Sequence, residues 1–198
     1  MFSSTWINTH GSQHEVNEAI LWADVESSGT TPEVDTLLEL GAVISDMSGN
    51  RISSTWETLF EIPDLSRIIA NSSNDVQRLH DNSGLWQDLW SKETKTYAEA
   101  DSDFSDFILS SVPENTLLYF GGNSITLDRL FIRMHMPKTY SLISYRSIDV
   151  TSLSMTLQSN TSIPGFNKGK DHRGLKDALD SLEEYNYYLN CLKKINKN

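Results

Sequence analysis

The sequence predicts an α/β domain, a mixed sheet of five strands flanked by helices. Three observations carry that expectation. Three strand-like segments rich in β-branched residues come first, helical and strand patterns alternate after them, and a long stretch of helical spacing closes the chain.

The elements follow in order. The first 18 residues, MFSSTWINTHGSQHEVNE, lack the basic start and apolar centre of a signal peptide, so 1–18 reads as a flexible tail and 19–198 as the folded domain. AILWADV (19–25) is an apolar run of strand length. After a Gly/Thr/Pro loop, TLLELGAVISD (36–46), the turn MSGN and RISSTWETLFEI (51–62) complete a meander of three strands. Helical and loop segments fill 64–112, and within them Phe104, Phe107, Ile108 and Ser111 fall at helical spacing. TLLYFGG (116–122) is a short buried strand, NSITLDRLFIRMHM (123–136) a helix and YRSIDV (145–150) the fifth strand. QSNTSIPGFNKGK (158–170) is the clearest loop. Residues 172–194 form a long helix whose buried face is marked by Leu175, Leu179, Leu182 and Leu189.

Composition narrows the function. Apolar residues make up 38% of the 198 residues, enough for a real core, and the net charge is -11. No apolar run approaches the roughly 20 residues that span a bilayer, so no membrane partner is expected. The acidic balance argues against a basic face that grips long nucleic acid, because that affinity comes from Lys and Arg. It leaves room for a short phosphorylated substrate held by a few local cations or metal ions. Cys191 is the only cysteine, which excludes an intrachain disulfide and points to a reducing, cytoplasmic setting.

The chemistry sits where strands end. The first strand closes on Asp24 and Glu26, and a period of two puts both carboxylates on one side of the chain. Burying a charge costs several kcal/mol unless it is paired or metal-bound, so something should compensate them. Taken alone, D-x-E is better explained by a solvated loop mouth with a helix cap. Asp128 lies in an apolar helix among Leu127, Leu130 and Phe131, where pairing with Arg129 or Arg133 is the plain alternative. His172 and Asp177 open the last helix, where charge is usually solvated. Together, four carboxylates near strand ends and helix starts make a hard oxygen site suited to Mg²⁺ or Mn²⁺. Two such ions about 4 Å apart would balance the charge and suit an in-line phosphoryl displacement.

From about Ala19 to Leu189 the chain resembles the DEDDh 3′-to-5′ exonucleases, and within them the oligoribonucleases. The broad match is Asp24 and Glu26, Asp128, and His172 with Asp177. The narrower match is HDNSGL (80–85), GNSITLDRLF (122–131), Met136-Pro137, YRSIDVTSL (145–153) and Gly165-Phe166. The resemblance implies an RNase H-like fold and hydrolysis of short RNA from the 3′ end to nucleoside 5′-monophosphates. It implies two divalent ions, Mg²⁺ or Mn²⁺, on Asp24, Glu26, Asp128 and Asp177, with His172 as general base. It also implies a polar cap for the 5′ phosphate of a dinucleotide, made by Ser124 and Arg146 with His80 nearby and Thr151 where the family has Ser. Tyr145 would reach across a homodimer. Two positions depart from the family. Ser27-Ser28-Gly29-Thr30 stands where Met-Thr-Gly-Leu is usual, so Thr30 replaces a base wedge. Asp75 stands where a base-packing Trp is usual; Trp86 or Trp90 could take its place, though both read first as core residues. These departures keep open a broader exonuclease of single-stranded RNA or DNA. A nucleotide-binding dimer without catalysis is the third expectation, and His172 argues against it.

Overall fold

The computed structural model describes residues 5–7, 13–15, 17–169 and 172–195. Two short strands, β1 (Thr5–Ile7) and β2 (Gln13–Glu15), pair antiparallel with each other. Apart from these and Asn17 and Glu18, the 1–18 stretch read as a tail lies outside the described residues.

The expected meander is formed by β3 (Glu18–Ser27), β4 (Leu37–Asp46) and β5 (Arg51–Leu59), each antiparallel to the next. Four helices follow, α1 (Leu65–Asn71), α2 (Asn74–Asn82), α3 (Leu85–Ser91) and α4 (Tyr97–Ser111). Thr96 and Glu99 close a reciprocal capping box at the start of α4, which fixes where that helix begins. Then come β6 (Leu117–Gly122), α5 (Thr126–His135), α6 (Pro137–Leu142), β7 (Ile143–Asp149), α7 (Val150–Asn160) and α8 (Gly174–Ile195). The sheet runs β5-β4-β3-β6-β7, with β6 parallel to β3 and β7 parallel to β6. It is the mixed five-stranded sheet flanked by helices that the patterning predicts. No helix among the described residues is long and apolar enough to cross a membrane.

Alternation along β3 divides the core. Ala19, Leu21, Ala23 and Val25 belong to the layer that contains Phe104 and Ile108 of α4 and Phe131 and Ile132 of α5. Ile20 and Trp22 belong to the other layer, with Leu182, Tyr185 and Tyr188 of α8. Asp24 and Glu26 continue this second face, so the carboxylates begin where the apolar surface under α8 ends.

Several boundaries move for physical reasons. The third strand stops at Leu59 instead of residue 62; beyond it Phe60 N–H still donates to Leu38 O at 3.0 Å, and Glu61 N–H donates to Lys95 O at 2.8 Å. The patterning missed α7, whose apolar Val150, Leu153 and Leu157 are separated by Ser and Thr; Asp149 caps it by accepting Ser152 N–H. The last helix begins at Gly174 and not at 172, which leaves His172 in the preceding loop at φ 50°.

Candidate active site

Three elements deliver the acid cluster. β3 supplies Asp24 and Glu26, and α8 supplies Asp177 in its first turn. Each of the three offers a carboxylate oxygen within 4.8 Å of the others. Two glycines permit this approach. A Cβ on Gly41, the β4 partner of Asp24, would lie 2.0 Å from Leu175 N, and one on Gly174 would lie 2.8 Å from Asp24 O. The helix therefore starts almost in contact with the sheet, and a turn later Asp177 faces Asp24. Glu39 fastens the same joint: it is buried beside Glu26 on β4 and accepts Gly174 N–H at 3.0 Å. Arg173 closes on Glu39 through Nη2 at 2.7 Å and Nε at 3.1 Å, and on Asp88 through Nη1 at 2.8 Å.

Asp128 comes from α5. Its Oδ1 accepts Val25 N–H at 3.0 Å, between the two β3 carboxylates in sequence, and its side chain is buried. It lies outside the three-residue cluster as measured between oxygens, yet its charge acts on both Asp24 and Glu26.

The electrostatics are those of an overcharged pocket. Burial, followed by repulsion from Asp128, Glu26 and Asp177, holds the Asp24 carboxyl well above the usual carboxylate range. Burial, with Glu39, Asp177 and Asp128, pushes Glu26 up to about 8. Burial raises Asp128 to about 6 despite the Val25 N–H bond that favours its anion. Carboxylates that raise one another in this way fit a divalent cation, whose charge would replace the protons they otherwise retain.

His172 is exposed beside this cluster, near enough to act electrostatically on Asp177. Its φ of 50° and that of Ser124, 51°, are two of three positive values among described non-glycine residues. Left-handed backbone at such residues costs energy and concentrates at functional sites.

The residues expected to hold substrate separate into groups. Ser124 Oγ lies 3.2 Å from Thr151 Oγ1, and Ser124 N–H faces Asp149 Oδ1 at 3.4 Å, so these two residues come together. Arg146 lies three residues before Asp149 on β7, about 10 Å along the strand by backbone rise, and its Nε donates to Tyr145 OH at 3.0 Å. Its guanidinium also donates to Tyr119. Tyr145 is 82% exposed. His80 is buried instead of facing the Ser124–Thr151 pair: Nε2 lies 2.9 Å from Ser27 O and Nδ1 3.8 Å from Glu26 Oε2. Thr30 is exposed in a loop braced by Asp35, which accepts Thr31 N–H at 2.8 Å. A cavity of about 430 Å³ lined by Ser28, Asp35, Arg67 and Asn71 adjoins that loop. Asp75 is exposed on α2 and paired with Arg78 at 2.6 Å. Trp86 is buried and Trp90 exposed.

Comparison with known proteins now decides the family. The family model described as Exonuclease matches residues 21–185, nearly the span that carries the cluster. The chain belongs to the exonuclease family. The exonuclease is 31% identical to an oligoribonuclease of Rhodococcus jostii, over 87% of each chain. It is 32% identical to one of Nitrosomonas europaea, over 85% of this chain and 92% of that one. Among solved structures it is similar in fold to a zinc-bound complex of E. coli exonuclease I with single-stranded DNA, with a TM-score of 0.67 at 15% identity. That match covers 91% of this chain and 42% of exonuclease I, so the exonuclease spans under half the length of that neighbour. The shared sheet is the RNase H-like arrangement, and the chain is a hydrolase by family.

Sequence reasoning missed Glu39, Gly41, Arg173 and Gly174. Glu39 carried a signal, a charge inside the apolar run LLELGAVI. The glycines carried none, since only the packed helix reveals why a side chain is excluded.

Proposed function

We propose that the chain is a 3′-to-5′ exoribonuclease that hydrolyses short single-stranded RNA to nucleoside 5′-monophosphates. The observation that carries this reading is the convergence of Asp24, Glu26 and Asp177 within 4.8 Å, with Asp128 buried alongside. In this reading Asp24, Glu26, Asp128 and Asp177 hold two divalent cations, Mg²⁺ or Mn²⁺. Bound there, the cations would polarise the water and the scissile phosphate and offset charge that develops in the transition state. His172 takes the proton of the attacking water, a task suited to an imidazole near neutrality and to its exposed place in the loop. Val25 N–H orients Asp128, while Glu39 and Arg173 hold the start of α8 so that Asp177 keeps its station.

Ser124 and Thr151 form the nearer part of a terminal-phosphate cap. Arg146 joins it by leaving its tyrosine partners, and its planar donors suit a phosphate. The exposure of Tyr145 supports a homodimer in which it meets the partner's nucleotide. A cytoplasmic setting belongs to the same reading and rests on the single cysteine.

A second reading, a broader exonuclease of single-stranded RNA and DNA, is favoured by Thr30 and Asp75. Neither offers an apolar or aromatic surface to a base. One assay separates the readings: purified protein with Mn²⁺ against 5′-labelled RNA and DNA of increasing length, with Asp24→Asn as control. Short RNA cut fastest supports the first reading. DNA cut faster at every length supports the second, and no cleavage sinks both.

A further inference from the structure

Lys168 turns from the loop ahead of His172 into polar ground between the end of β6 and α8. Its ammonium donates to Asn123 Oδ1, to Glu184 Oε2 at 3.0 Å and to Ser181 Oγ at 3.3 Å, so each of its three N–H bonds meets an acceptor. Those acceptors are themselves linked. Ser181 Oγ lies 2.6 Å from Asn123 Oδ1 and 2.9 Å from Asp177 O. Asn123 Nδ2 donates to Glu184 Oε2 at 3.0 Å and meets Thr151 Oγ1 at 3.4 Å.

The network joins the carriers of the candidate catalytic groups. Asn123 opens the turn into α5, which bears Asp128. Ser181 and Glu184 follow Asp177 along α8, and Lys168 lies four residues before His172. The lysine is also a fixed charge beside the acids. Burial raises both Asp24 and Asp177, and Lys168 is among the charges that draw each back down.

We propose that Lys168 is a positioning residue: its ammonium ties the loop before His172 to Asn123, Ser181 and Glu184, and it stands as a resident cation beside the acid cluster. The effect on turnover rests on the hydrolytic reading above. The effect on metal affinity rests only on the metal-binding part of that reading, and a wild-type protein that takes up no Mn²⁺ overturns it.

The two roles predict changes of opposite sign, which a purely architectural lysine would not produce. In Lys168→Met the cluster loses a positive neighbour, so Mn²⁺ should bind about three- to tenfold more tightly. Turnover should fall about tenfold or more with KM little changed, because the loop loses its tether. Lys168→Met leaves Glu184 buried without its cation and should melt lower. Lys168→Met with Glu184→Gln removes both charges and keeps an amide for Asn123. Its Mn²⁺ affinity should return to the wild-type value while turnover stays low. Lys168→Arg, which keeps charge and donors, should restore wild-type affinity and part of the turnover.

The measurements are calorimetric titration with MnCl₂, thermal unfolding, and steady-state rates on short 5′-labelled RNA. The proposal is overturned if Lys168→Met leaves affinity and turnover within about twofold of wild type. It is equally overturned if both fall together in proportion to lost folded protein. Should Lys168→Met not fold, the double variant decides: slow turnover at wild-type affinity supports the tether, and wild-type turnover overturns it. If the wild-type protein cleaves no RNA, the hydrolytic reading fails by itself. The titrations still judge the charge, since unchanged affinity in Lys168→Met overturns it.

Discussion

Asp24 occupies a place where a carboxylate is costly, and the cost reveals its use. Burial and three acidic neighbours disfavour its charge, so Asp24→Asn should leave the metal-free protein folded and raise its Tm. Hydrolysis should be abolished. Asp128→Asn should behave alike, because the amide oxygen can still accept Val25 N–H. Full activity of either variant at saturating Mn²⁺ would defeat the assignment. His172 has another dependence. His172→Ala should lower kcat by about 10²–10⁴-fold with substrate binding nearly unchanged, and the acidic limb of the pH profile should flatten. A drop smaller than about tenfold would mean that another group activates the water. The acids were marked in the sequence by residue types at strand ends and helix starts, whereas His172 was singled out only by the family resemblance. The separations of the acids were not legible there, since the distance from Asp24 to Asp177 depends on a helix crossing a sheet.

The joint between α8 and β4 is the element that sets that distance. A methyl group on Gly41 would meet backbone at Leu175, which cannot rotate aside as a side chain can. Gly41→Ala should therefore destabilise the fold by about 1–3 kcal/mol or more in urea unfolding. It should weaken Mn²⁺ binding as well, because α8 must lift and carry Asp177 with it. Unchanged stability and affinity would show that the contact sets nothing. Patterning located β3, β4, β6 and α8 within one or two residues, because each buries a regular apolar face. It lost α7, whose Ser and Thr blur the period, and it overran β5, where Glu61 finds a partner outside the sheet. The substrate groups were harder still. His80 stands in the stretch HDNSGL, and a linear stretch does not say whether its ring faces solvent or, as here, the underside of Glu26.

At the scale of the whole molecule, acidity couples stability to pH and to metal. Glu26 titrates near 8 in the metal-free fold against an ordinary value of 4.5, so the folded state holds the extra proton between those values. Its contribution to stability is present below the ordinary value and is lost as pH rises through about 8. The metal-free protein should thus melt lower at pH 8 than at pH 6, about neutral on either side. The Tm gain from Mn²⁺ should be larger at pH 8, where fewer protons compete for the carboxylates. Scanning calorimetry with EDTA or MnCl₂ at both values checks this, and a gain independent of pH would refute it. Length preference belongs to this scale too. A cap at Ser124, Thr151 and Arg146 would favour RNA of a few nucleotides, but Thr30 and Asp75 forgo base stacking worth about 1–3 kcal/mol per base. The preference should be shallow, flatter still in Arg146→Ala, and sharper in Thr30→Leu with Asp75→Trp. Initial rates on labelled RNA from two to about twenty nucleotides test it, and rates that climb steadily with length would overturn it. The Gly41–Gly174 contact has one more consequence, in the order of events during synthesis. The strands β3 to β5 pair locally, through the loop 28–36 and the turn 47–50, and can form early on the ribosome, whereas their far face waits for α8, more than a hundred residues later. Until that helix emerges, Trp22 lacks the Tyr185 ring that packs on it and Asp177 is missing, so the nascent chain should pass through a stage that exposes apolar surface and has an incomplete acid cluster.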